Sequence, residues 1–366
     1  MGPNILLDVV SAVLDQPVTA GDLASSLHNA RYTYLARLLH YRIATLPDPK
    51  DIEQCLTLLQ ELSEQAATDV LRSPAMCQLL RIGSGGEQSI KDLLKIAHAT
   101  DSGQYLDAWS LLGDVWLGQD VPPGCLPLEY QDKRFCGPRL ACGLPLDLSL
   151  PAALEIPSAG LQRPRLLSRH DTNYACECLD AAVEILETSS PLGHSIFSML
   201  ATNLVLRTET SRPSECWGAT SGAAIGRIVV VNAAAAAHPK ALAEVLLHEA
   251  THCAIDCAEL SRPLVQWHAA STAGNTIPSP WTGNPLTPHA YIHACIVWVT
   301  LLEYWHCYRR LYGEDEISRA RLLFIERGFK AMDGADHLGS MAGQMSDFAP
   351  QVVNLTRESA RAAFSN

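Results

Sequence analysis

The chain has little positive charge to spend on a polyanion: 27 Lys and Arg stand against 39 Asp and Glu in 366 residues, for a formal net charge of −12. Phosphate backbones are held by clustered Lys and Arg, and no basic stripe occurs, so nucleic acid is not an expected partner. Long apolar runs are also missing. The stretch 291–302 is interrupted by His293 and falls short of the roughly 20 residues that cross a bilayer, so no membrane span is expected. The opening residues Met1-Gly2-Pro3-Asn4-Ile5-Leu6-Leu7-Asp8 carry no basic group ahead of the apolar segment, and export is not expected. There is no fixed-period repeat and no low-complexity tract, which argues against a solenoid. Twelve cysteines in a chain of this size read as buried free thiols in a reducing cytoplasm rather than as a disulfide scaffold. With 48% hydrophobic and 18% charged residues, what remains is a globular chain of one large or two modest domains.

Apolar residues recur at three- and four-residue spacing over 5–14, 29–44, 51–71, 74–82 and 88–97, so residues 1–118 read as a helical N-terminal region. Pro47-Asp48-Pro49 and Gly83-Ser84-Gly85-Gly86 punctuate it. From 119 to 366 the pattern becomes mixed. Prolines break up 115–164, 173–187 is helical, and 199–210 and 226–232 read as strands. Helices follow near 233–252, 289–312, 316–331 and 351–363. The fold class expected is α+β, mostly helical, with the catalytic region in 119–366 and the whole compatible with one continuous domain. Cys176 and Cys178 stand too close for a zinc knuckle and lack a second pair, so burial is expected of them.

The chemistry concentrates in Leu247-His248-Glu249-Ala250-Thr251-His252, an HExxH motif. On a helix, residues i and i+4 share a face, so His248 and His252 can present two neutral imidazoles to one cation with Glu249 beside them. At least one further ligand is required. The extended pattern HExxHxxGxxH needs Gly at 255 and His at 258, but the chain has Ile255 and Ala258, which excludes that class of metalloprotease. His293, at the start of an apolar helix after a Pro-rich loop, is the expected third ligand. His289 one turn earlier, Glu303 on the same helix and His268 are the alternatives. Cys253 and Cys257 follow the motif at helical spacing and are expected on its packing side.

The succession of a strand, the HExxH helix, Ser279-Pro280-Trp281, a Pro-containing loop and His293-Ala294-Cys295-Ile296-Val297-Trp298 resembles the HExxH-motif peptide β-hydroxylases, tailoring enzymes of ribosomally made peptides. Asp69-Val70-Leu71-Arg72-Ser73-Pro74 is similar to that family's pre-motif region. The resemblance implies a non-haem Fe(II) centre held by His248, His252 and His293, with 2-oxoglutarate as co-substrate and a peptide or amino-acid-derived substrate oxidised at an unactivated, β, carbon. Where the family commonly carries a basic residue after Ser-Pro-Trp, this chain has Thr282, so another basic residue must anchor the co-substrate. Arg227 and Trp281 are the co-substrate candidates, and Arg212 and Arg262 are the other basic residues near the motif.

One motif serves two mechanisms. With Zn2+, Glu249 is the general base that activates a metal-bound water for hydrolysis, as in a metallopeptidase. With Fe(II), the open positions receive co-substrate and O2, and Glu249 orients a ligand or water from behind. A metal-free binding protein is the third reading. The resemblance favours the oxygenase.

Overall fold

The computed structural model describes residues 5–14, 18–82, 89–120, 129–131, 134–149, 169–209, 213–235, 238–265, 276–332, 339 and 343–365. Arg212, His268 and the glycine-rich break at 83–86 lie outside the described residues.

The architecture is α+β and mostly helical, as the periodicity implied. Among the described residues the helices are α1 (Ile5–Leu14), α2 (Leu23–Ala44), α3 (Pro49–Glu61), α4 (Glu64–Arg72), α5 (Pro74–Ile82), α6 (Ile90–Ser102), α7 (Arg169–Ser189), α8 (Pro191–Leu200), α9 (Pro239–Glu259), α10 (Pro288–Tyr312), α11 (Glu316–Met332) and α12 (Ala349–Phe364). Among the described residues three small sheets accompany them. One has the order β1 (Val115–Trp116), β3 (Arg134–Cys136), β2 (Glu129–Gln131). A second has the order β4 (Asn203–Arg207), β6 (Arg227–Val231), β5 (Trp217–Ala219), and β7 (Ile277–Pro278) pairs with β8 (Pro285–Leu286).

Contacts divide the chain into two compact units. One holds residues 1–30, 186–196 and 254–366, the other residues 31–185 and 197–253, so the boundary falls inside α9 between Cys253 and Ala254.

Local chemistry explains where sequence and structure part. The single helix expected over 51–71 is two, because the Ser63 hydroxyl accepts the Ala66 N–H and starts α4 afresh. Ser63 also donates to Asp101, so the break is tied down from outside. Within the strand expected over 199–210, the described strand is Asn203–Arg207, since α8 occupies the residues before it, and residue 210 lies outside the described residues. That helix went unanticipated because Ser-Ser-Pro-Leu-Gly reads as a loop, although Pro191 is at home in a first helical turn, where its missing N–H costs nothing.

In the larger unit, β4 runs parallel to β6 and β5 antiparallel to it. Gly226 enters β6 at φ 92, and a Cβ there would lie 2.8 Å from the Leu200 carbonyl oxygen, so glycine is needed for both conformation and space. Asn232 leaves β6 at φ 55, its side chain accepting from the Glu209 N–H and donating to the Glu215 carbonyl. Register sorts the faces: Asn203, Val205 and Arg207 share one with Arg227, Val229 and Val231 and with Trp217 and Ala219. The other face carries Leu204, Leu206, Ile228, Val230 and Gly218. α9 covers this second face: a Cβ at Gly218 would lie 2.7 Å from Glu249 Cγ and 2.8 Å from Val245 Cγ1. The HExxH motif is therefore held against a strand by a glycine.

In the other unit, α10 is apolar nearly all round, with Tyr291, Ile292, Cys295, Ile296, Val299, Leu302 and Trp305 among its buried residues, and it packs on α11, α12 and α1. Its start is set by Thr287, whose hydroxyl accepts the Ala290 N–H, with Pro288 in the first turn. No helix of the described residues is long and apolar enough to cross a membrane.

Candidate metal centre

α9 carries the motif as a regular helix, and the spacing does what helical geometry requires. His248 and His252 lie one turn apart, their Nε2 atoms are 3.3 Å from each other and their ring planes are tilted by 55°. Ligands about 2.1 Å from a metal stand about 3 Å apart when adjacent, so this separation suits two neighbouring ligands of one ion. Both rings are half-buried, whereas Glu249 is only 4% exposed. Thr251 donates to the Leu247 carbonyl within the helix, and Cys253 and Cys257 are buried in its packing surface, where the spacing put them.

A second set of donors meets in the other unit. Asp256 and Glu259 end α9, His289 and His293 open α10, and one ligating atom from each of the four falls within 4.8 Å of all the others. Glu259 Oε2 lies 2.8 Å from His289 Nε2 and 2.9 Å from His293 Nε2, while its Oε1 accepts the Leu264 N–H at 2.9 Å. The two imidazoles lie side by side, with ring centroids 4.1 Å apart. Asp256 and His293 are buried and Glu259 nearly so, whereas the His289 side chain is 45% exposed and gives the cluster its opening to solvent. Burial alone would push the Glu259 carboxyl up. The hydrogen bonds from His289 and His293 outweigh it and hold the group well below the usual carboxylate range. A carboxylate kept ionised beside two imidazoles, with a second carboxylate in reach, is a nitrogen–oxygen donor set that can hold a divalent metal.

His248 and His252 are thus brought together, and His293 is brought to Glu259 and His289. Glu303 lies ten residues beyond His293 on α10, about 15 Å along the helix axis. Trp281 is packed in an aromatic stack, 5.7 Å from Trp298 and edge-on to Phe329, with its indole N–H donated to the Ile325 carbonyl. Arg227 is buried on the sheet face turned away from α9, where its Nη2 lies 3.0 Å from Asp147 Oδ2. Both co-substrate candidates therefore have polar groups engaged inside the protein. Arg262 spends its guanidinium on the Ala12 carbonyl and the face of Phe348.

Asp256 and Glu259 were not anticipated as donors, though a signal existed. They follow His252 by four and seven residues, so the face read for the HExxH pair continues for two further turns. Compared with known proteins, the chain matches no family model and no curated protein.

Proposed function

We propose that the chain is a metal-dependent oxygenase that uses non-haem Fe(II) and 2-oxoglutarate to oxidise an unactivated carbon, the β carbon, of a peptide or amino-acid-derived substrate. The observation that carries the metal is the 3.3 Å approach of the His248 and His252 Nε2 atoms on a continuous helix, the separation of two adjacent ligands. What favours iron is the resemblance carried by the HExxH, Ser279-Pro280-Trp281 and His293-Ala294 segments. When bound, iron with 2-oxoglutarate supplies an oxidant able to take hydrogen from unactivated carbon. The chain's own part is to hold two nitrogens at fixed spacing and to keep Glu249 buried beside Gly218, where it stiffens the helical turn that carries His248. Arg227 would have to leave Asp147 to receive a co-substrate carboxylate.

One observation favours a second reading. Glu249 is a buried carboxylate directly after His248, the residue type a zinc hydrolase uses to take a proton from metal-bound water. Metal analysis of anaerobically purified protein, followed by an assay of succinate formed from 2-oxoglutarate, separates the two. Iron with co-substrate turnover supports the oxygenase, whereas zinc with no turnover moves the assignment to hydrolysis. His293→Ala adds the ligand test: loss of iron to the same extent as in His248→Ala makes His293 that ion's third ligand, and unchanged iron content removes it from the set.

A further inference from the structure

Arg207 ends β4 on the sheet face turned away from α9. It is 5% exposed, and neither its Nε nor its Nη2 has a hydrogen-bond partner among the described residues. The charge that acts on it is that of Arg227, of like sign. Arg227 in turn is matched by Asp147, which also accepts from Asn203 and Ser149. Glu209, two residues on, accepts the Trp217 indole N–H at 3.3 Å. Burial, and then repulsion from Arg227, lowers the Arg207 pKa from its ordinary value. Folded proteins rarely leave a buried cation without a counter-charge, because desolvation is repaid only by pairing.

The unpartnered atoms specify the missing group. Nε and Nη2 form one edge of the guanidinium, the edge that meets the two oxygens of a carboxylate in parallel hydrogen bonds. Across the sheet, Arg207 shares its row with Val231 and Trp217, and the next row is Val205, Val229 and Ala219. These apolar residues, without Arg207, form a packed cluster. We propose that Arg207 is the anchor of a second binding site, separate from the metal centre, for a small carboxylate with an apolar body that lies along Val231 and Trp217.

The test uses the full-length chain, titrated by calorimetry and by thermal shift with isobutyrate, acetate and inorganic phosphate at constant ionic strength in the presence of EDTA. Isobutyrate is expected to bind and to raise the melting temperature more than acetate does, with phosphate weaker than either. Arg207→Met should weaken isobutyrate at least about tenfold. Arg207→Lys, which keeps the charge but not the fork, should weaken it nearly as much, and His248→Ala should leave it unchanged. If Arg207→Met does not fold, nuclear Overhauser contacts between the isobutyrate methyls and the Trp217 indole in the wild-type chain give the same answer. No isobutyrate binding above a chloride control, equal binding in the Arg207 variants, or a preference for phosphate would each overturn the proposal.

Discussion

The two donor groups of α9 differ in how they are built. The His248–His252 pair comes from one helical turn, so its geometry is implied wherever the segment is helical. The quartet of Asp256, Glu259, His289 and His293 takes two residues from the end of α9 and two from the start of α10, across an intervening chain of about thirty residues. The first is set by a local repeat, the second by tertiary packing and by the Thr287 cap that fixes where α10 begins. A metal-competent grouping can therefore be half visible in a sequence.

The most severe way to break the contrast is to remove the local pair. His248→Ala or His252→Ala should abolish iron binding at the motif and with it more than 99% of co-substrate turnover, a loss of about 10² or more, while circular dichroism stays unchanged. Iron retained at full stoichiometry in both variants would show that the quartet, not the pair, holds the ion. Glu249→Gln is expected to act less severely under the oxygenase reading, with iron still bound and activity partly kept. Under the hydrolytic reading it costs on the order of 10²–10⁴ in rate. Metal content measured beside turnover in the same preparation tells the two apart.

Legibility followed the same division. The helices with strong periodicity, such as α5 and α10, stand within a residue or two of where their apolar spacing put them, and β6 is the β-branched run 227–231. What the sequence hid was decided by single side-chain contacts. The Ser63 hydroxyl that splits one expected helix into α3 and α4 has the same composition as any surface serine. Nothing in the local sequence sets Glu259 apart from other acidic residues, and it is packing that brings His289 and His293 to one of its oxygens. Arg227 stands near the motif in sequence, and only the register of β5 with β6, with Gly218 against Glu249, shows that it lies on the face turned away from α9. Periodicity records which face is buried, and it carries no record of which polar atoms meet there.

The quartet can be tested through the acid it keeps ionised. Glu259→Gln removes a charged acceptor shared by two imidazoles and should cost about 2–3 kcal/mol in denaturant unfolding at neutral pH. The carboxyl's folded-state pKa lies below its ordinary value of 4.5, so the unfolded chain takes up its proton first as pH falls. The stabilisation is therefore complete above about pH 4.5 and is lost as pH drops toward the depressed folded value. The gap between wild type and Glu259→Gln should shrink on acidification below that range. A gap that stays constant down to pH 3 would mean that the carboxylate does not carry the contribution.

The smallest effect expected is also the one that depends most on the structure. Gly218 lies opposite Val230 on the face that α9 covers, and an added methyl would meet Glu249 Cγ at 2.7 Å, Glu249 Oε1 at 2.8 Å and Val245 Cγ1 at 2.8 Å. Separations under 3 Å are not tolerated, so Gly218→Ala must move either the Glu249 side chain or the helix. The carboxylate end is flexible, but it is buried at 4% exposure and shares its contact with a branched valine on the preceding turn. The cost should be about 1–2 kcal/mol of stability, together with a measurable loss of turnover at unchanged iron content, because His248 is carried on the turn that shifts. Gly283→Ala is the control: no heavy atom lies within 4 Å of a Cβ there, so only its φ of 74 opposes the change, and turnover should be unaffected. Loss of turnover in Gly283→Ala but not in Gly218→Ala would show that the strand beneath Glu249 does not position the motif.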